Sequence, residues 1–106
     1  MTRDELIETL ETACEAGYQA AWTAGASGKD SRRYQAEALL AALDAAALAV
    51  VSAQERILID DVLNAVRRWY DADCFMGDSV DIDLADAHCA LRKFCEAMLA
   101  AGRVDQ

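Results

Sequence analysis

Proline is absent from this chain of 106 residues, and glycine occurs only five times. These are the residues that most often interrupt regular backbone, so long helices are expected and a fold of many short strands and tight turns is disfavoured. Histidine occurs once, at His88, and a single histidine with no placed nucleophile is not a catalytic constellation. A Gly-rich phosphate loop, a His-Glu-x-x-His pair and a Gly-x-Ser-x-Gly elbow are all missing. No catalytic constellation is therefore legible, and the chain is expected not to be an enzyme.

Long apolar runs are missing too. No stretch reaches eighteen apolar residues free of charge, and the first five residues already contain Asp4 and Glu5. Neither a membrane span nor a secretory signal is expected. Positive charge is scarce: Lys and Arg number 10 against 19 Asp and Glu, for a net charge of −9. Direct binding of DNA or RNA needs a basic footprint on the phosphates, and anionic membranes need the same. Both are disfavoured, whereas a basic protein surface would be attracted. The four cysteines fit reduced thiols, and a cytoplasmic location follows as the expectation.

What the chain does contain is apolar character, 55% of it, and a length suited to one core. Residues 1–106 are read as a single domain. Ala36 to Val51 reads AEALLAALDAAALAVV, in which eight of sixteen residues are alanine and only Glu37 and Asp44 are charged. On a helix those two acids project within about 20° of one another, beside Arg33, leaving one wet stripe on an apolar cylinder. A helix of this kind is expected to be the most buried in the fold, covered by its neighbours or by a second copy.

Around it the periodicity places three more helices. Thr2 and Glu5 form a Thr-x-x-Glu capping box ahead of Leu6, Ile7, Leu10, Cys14 and Tyr18, giving a first helix from Arg3 to about Thr23. Gly25 and Gly28 mark its end and the turn that follows, and Asp30 or Ser31 caps the central helix. No glycine or proline lies between residues 29 and 76, so a single rod of some forty residues has to be considered. It fails on phase: the apolar stripe Leu58, Ile59, Val62, Leu63, Val66, Trp69 and Tyr70 would point away from the buried side of the central helix. A reversal near Val50 to Ala53, with Ser52 and Glu55 as a second capping box, starts a third helix from about Ala53 to Tyr70. Asp71 to Ile82 loses the helical period and reads as one long connection. A fourth helix then starts near Asp81 or Asp83, with a stripe of Leu84, Ala87, Leu91, Phe94, Cys95, Met98 and Leu99, and Gly102 ends it. Arg103 to Gln106 is expected to fray. The expected fold is all-α, a small antiparallel four-helix bundle with a central alanine-rich helix. Alanines supply little core volume, so a homodimer that completes the core is an alternative to a monomer.

Charge is distributed unevenly. Residues 1–28 carry five acids against Arg3, residues 29–70 carry six of each sign, and residues 71–86 carry six aspartates and no base. Asp4, Glu8, Glu11 and Glu15 fall on one helical face, where like charges repel slightly and offer a basic partner a surface. A solvated face is the simpler reading. Trp22 falls on that same side; it is either covered by the following turn, which is favoured, or left as an anchor. Phe75 and Met76, between Asp71, Asp73, Asp78 and Asp81, form an apolar pair within an acidic rim, or else tuck back onto the end of the bundle.

Metal readings are weak. Cys74, His88, Cys89 and Cys95 lack the two-to-four-residue spacing of a zinc site, and His88 is read as a packed core histidine. Counted from Asp71 an EF-hand fails at Phe75 and Met76, with Gly77 one place late. No cofactor is expected. The sequence supports a non-catalytic acidic module that binds a basic protein surface through Glu8, Glu11, Glu15, Trp22, Asp71, Asp73, Phe75, Met76, Asp78 and Asp81, in its sharpest form an inhibitor that mimics nucleic acid. A ligand or metal-ion sensor and a structural subunit of a larger assembly are the alternatives.

Overall fold

Three of the four helices stop in the same way, and the stops set the architecture. A computed structural model of the chain describes residues 1–26, 29–50, 52–74 and 80–106, and their side chains except at 29, 71–74 and 80–82. Helix α1 spans Arg3–Thr23, α2 Lys29–Ala45, α3 Ala53–Cys74 and α4 Val80–Ala100. At the end of α1, Gly25 adopts φ 66°, its amide donates to Trp22 O and the next amide donates to Ala21 O, which is a Schellman stop. Gly102 repeats this after α4, with φ 72° and bonds to Leu99 O and Met98 O. Between them, α2 ends on Ala47, whose φ of 57° puts a side-chain-bearing residue where glycine is favoured. Its amide donates to Asp44 O, and Leu48 N donates to Leu43 O at 2.8 Å. Leu48 is buried and holds the turn in place.

The starts are equally specific. Thr2 caps α1, accepting at Oγ1 from Glu5 N at 3.2 Å. Ser52 and Glu55 complete a reciprocal box at α3: Glu55 N donates to Ser52 Oγ at 3.1 Å, and Ser52 N donates to Glu55 Oε2 at 3.2 Å. The chain reverses between Ala45 and Ala53, as the phase argument requires. Consecutive helices pack as antiparallel neighbours, the closest pairs being α1 with α2 and α3 with α4, in a bundle 40 × 24 × 23 Å.

Leu6, Leu10, Leu39, Leu43, Val62, Val66, Leu91, Phe94 and Met98 fill the centre. At the end where α1 stops and α3 finishes, Tyr18 packs on Trp69 at 4.5 Å and edge-on to Tyr70 at 5.0 Å. Tyr70 OH donates to Ala26 O at 2.7 Å, tying α3 to the turn after α1. Gly17 sets the α1 to α2 spacing. A Cβ there would sit 2.7 Å from the Gln35 Cα, so only glycine admits this approach.

Several expectations are corrected. Helix α2 is amphipathic and not the most buried: Leu39 and Leu43 face inward, while Leu40 is 46% exposed and Ala41, Ala45, Ala47 and Ala49 are open to solvent. It also stops at Ala45, about five residues early. The connection expected from Asp71 to Ile82 is helical at both ends, because α3 continues to Cys74 and α4 begins at Val80, and its middle, 75–79, lies outside the described residues. The tail does not fray. Val104 is buried, Arg3 N donates to Asp105 O at 2.6 Å, and Asp105 N donates to Met1 O at 3.0 Å.

Candidate functional site

The acidic face of α1 becomes one wall of a groove. Small residues on the opposite face, Ala13, Gly17 and Ala21, draw α1 closely onto α2, and the seam between α1 and α4 is correspondingly open. There a half-open cavity of about 400 Å³ runs between the two helices. Val66, Trp69, Leu84, Ala87 and Leu91 give it an apolar floor and far wall, Cys14 lies at its base, and Glu8, Glu11, Glu15 and His88 form its rim. A second hollow continues it toward the start of α1, sharing Glu8 and Glu11 and adding Ile7 and Arg92. The groove is bridged at that end by Arg3, whose Nη1 donates to Glu96 at 2.5 Å and whose Nη2 donates to Asp4 at 3.2 Å. These carboxylates raise the Arg3 pKa, Glu96 contributing most.

Glu8 and Glu15 are exposed and Glu11 is half-buried against the groove. Because α1 remains helical through Thr23, Trp22 stays in phase with Glu15, about 10 Å further along the axis. It is 57% exposed, so the expectation that the next turn covers it is overturned. Asp71 and Asp73 lie in the last turn of α3, and Asp81 is the second residue of α4. All three therefore stand at the same end of the bundle as Trp22, whereas the α1 carboxylates run from Asp4 at the other end only as far as Glu15. Phe75, Met76 and Asp78 lie outside the described residues.

The thiols beneath the groove are held protonated. Burial, with Glu11 second, pushes Cys14 up to about 12. Burial, followed by Glu96 and Glu11, does the same to Cys95. Neither is a nucleophile at neutral pH. His88 is exposed at the rim, correcting its assignment to the core, and Cys89 is exposed next to it. No group of three or more His, Cys, Asp or Glu residues gathers at metal-holding distance among the described residues.

The far wall of the groove was hidden in the sequence. Val66, Trp69, Leu84, Ala87 and Leu91 read as core from periodicity alone, and that a groove opens beside them depends on how widely α1 and α4 stand apart. The signal that bears on it is the run of small residues Ala13, Gly17 and Ala21, spaced i, i+4, i+8, which marks the side of α1 that approaches a neighbour closely. The chain matches no family model, and neither a curated protein nor a solved structure is significantly similar to it.

Proposed function

We propose that this chain is a non-catalytic protein-binding module whose groove between α1 and α4 takes a basic amphipathic segment of another protein. The observation that carries this reading is the pairing, in one cleft, of an apolar floor with a rim of Glu8, Glu11 and Glu15. Apolar positions of a bound helix would rest on Leu84, Ala87 and Leu91, and its lysines or arginines would meet the glutamates. Trp22 and the aspartates at the ends of α3 and α4 would extend the contact at one end.

Charge density separates this from imitation of a duplex. From Asp4 to Glu15 the stripe places four carboxylates over ~16 Å, one per ~5.5 Å at the helical rise. Duplex DNA carries one charge per ~1.7 Å. The stripe reaches about a third of that, so nucleic-acid mimicry would need the 71–86 aspartates as well, and a basic protein helix is the better-matched occupant.

The test is titration with a synthetic basic amphipathic helix at low salt, followed through Trp69 fluorescence in a Trp22→Phe background. Binding should weaken as salt rises and disappear in a Glu8→Lys, Glu11→Lys, Glu15→Lys variant. Binding that ignores both salt and the triple reversal, or no binding at all, would sink the proposal.

A further inference from the structure

The hollow between α1 and α4 has a rim and a floor of opposite character, and the chain satisfies neither. Glu8, Glu11 and Glu15 make no side-chain hydrogen bond or ion pair among the described residues. No lysine or arginine lines the hollow, and His88 stands on its α4 side. Arg3 and Arg92 line only the adjoining hollow, where Asp4 and Glu96 offset them, so the groove as a whole stays net acidic.

The floor is uncharged. Val66, Trp69, Leu84 and Leu91 line it with apolar surface, and the Cys14 thiol at its base stays protonated because burial pushes its pKa up to about 12. Trp69 is a fixed wall, since its ring packs against that of Tyr18 at 4.5 Å. The volume of about 400 Å³ falls within the range of small-molecule sites, roughly 300–1,000 Å³, which are mostly apolar with a few convergent polar groups. An occupant has to match both parts. Three carboxylates repel an anion, and a neutral molecule leaves their field unused. A compact ammonium such as that of lysine would give up strongly held water to reach an apolar floor, whereas a delocalised or quaternary cation gives up little and gains from an indole wall.

We propose that this hollow binds a small hydrophobic cation, an organic molecule of delocalised or quaternary positive charge, with its apolar body on Trp69, Leu84 and Leu91 and its charge toward Glu11 and Glu15. Such a ligand covers the floor on which a basic segment would rest, so it and the protein partner exclude one another. That competition rests on the proposed function, whereas the binding of the cation does not.

Tetraphenylphosphonium is the probe, and tetraphenylborate, of the same shape and opposite charge, is its control. The Trp22→Phe variant keeps Trp69 as its one tryptophan. Titrated into it, tetraphenylphosphonium should change the fluorescence with a Kd on the order of 10–100 µM, and tetraphenylborate should bind roughly tenfold more weakly or worse. Glu11→Gln combined with Glu15→Gln should weaken the phosphonium by roughly tenfold. Glu37→Gln combined with Asp44→Asn removes the same charge from the exposed face of α2, away from both hollows, and should change the Kd by less than about twofold. Circular dichroism checks that each variant is folded. No saturable binding, equal binding of the borate, or an equal loss in the two double variants would each overturn the proposal. A basic helix that binds where tetraphenylphosphonium does not overturns it and leaves the proposed function standing; the converse result overturns the proposed function alone.

Discussion

Arg103 spans the gap between the stop of α4 and the start of α3: its Nη1 donates to Glu55 Oε1 at 2.5 Å, and its Nη2 to Ala49 O at 2.8 Å. Glu55 is 5% exposed and also closes the capping box on Ser52, so one carboxylate joins a helix start, a reversal and the C-terminal segment.

Arg103→Ala should therefore destabilise the fold by about 2 kcal/mol, less than for a fully enclosed pair because the guanidinium keeps partial access to solvent. Urea denaturation measures it. A double-mutant cycle with Glu55→Gln should show coupling; strict additivity would mean that the bridge contributes nothing.

Ala47 holds a left-handed conformation that costs a non-glycine residue roughly 1–2 kcal/mol. Glycine removes that strain and loses some of the gain to chain entropy. Ala47→Gly should stabilise by about 0.5–1 kcal/mol, raising Tm by roughly 3–6 °C. An unchanged or lower Tm would contradict the observed stop.

Gln35 is 1% exposed, and neither its amide nitrogen nor its oxygen has a hydrogen-bond partner among the described residues. Gln35→Met keeps the length of the side chain and removes two unsatisfied buried groups. It should stabilise the bundle by about 1–2 kcal/mol in thermal melts. Gly17→Ala, against the same stretch of α2, should do the opposite by about 1–3 kcal/mol, because a backbone atom 2.7 Å from the added methyl cannot give way easily.

Cys14 and Cys95 rise from an ordinary 9.0 to about 12. A thiol whose folded value exceeds its unfolded one stabilises the fold fully below the unfolded value and loses that contribution as pH climbs through the folded one. Stability should thus fall between about pH 9 and 12, and a Cys14→Ala, Cys95→Ala variant should lose less of its own stability across that window. In a Cys74→Ser background at neutral pH, a thiol reagent should modify Cys89 quickly and the other two only on unfolding.

Capping chemistry carried most of the fold into the sequence. Ser52 with Glu55, Thr2 with Glu5, Gly25 and Gly102 each mark a boundary through a bond that the residue type itself dictates, and phase required the reversal between α2 and α3. Elsewhere no residue type marks the event. Ala47 takes a glycine's conformation, so the end of α2 was invisible, and Asp71 to Cys74 stays helical despite a composition that suits a loop. The firm C-terminal segment depends on Glu55 and Asp105 finding distant partners, which local sequence does not encode. For the candidate site, the glutamate wall on α1 was legible from periodicity. The facing wall was not, because a groove is a distance between two helices.

The pairing of Thr2 with Asp105 has a practical consequence for handling the molecule. Attachment at either extremity anchors it by one pole, with the exposed Trp22 at the opposite pole. Immobilised this way on a sensor surface, the molecule would display its candidate recognition region to an analyte without obstruction by the tether.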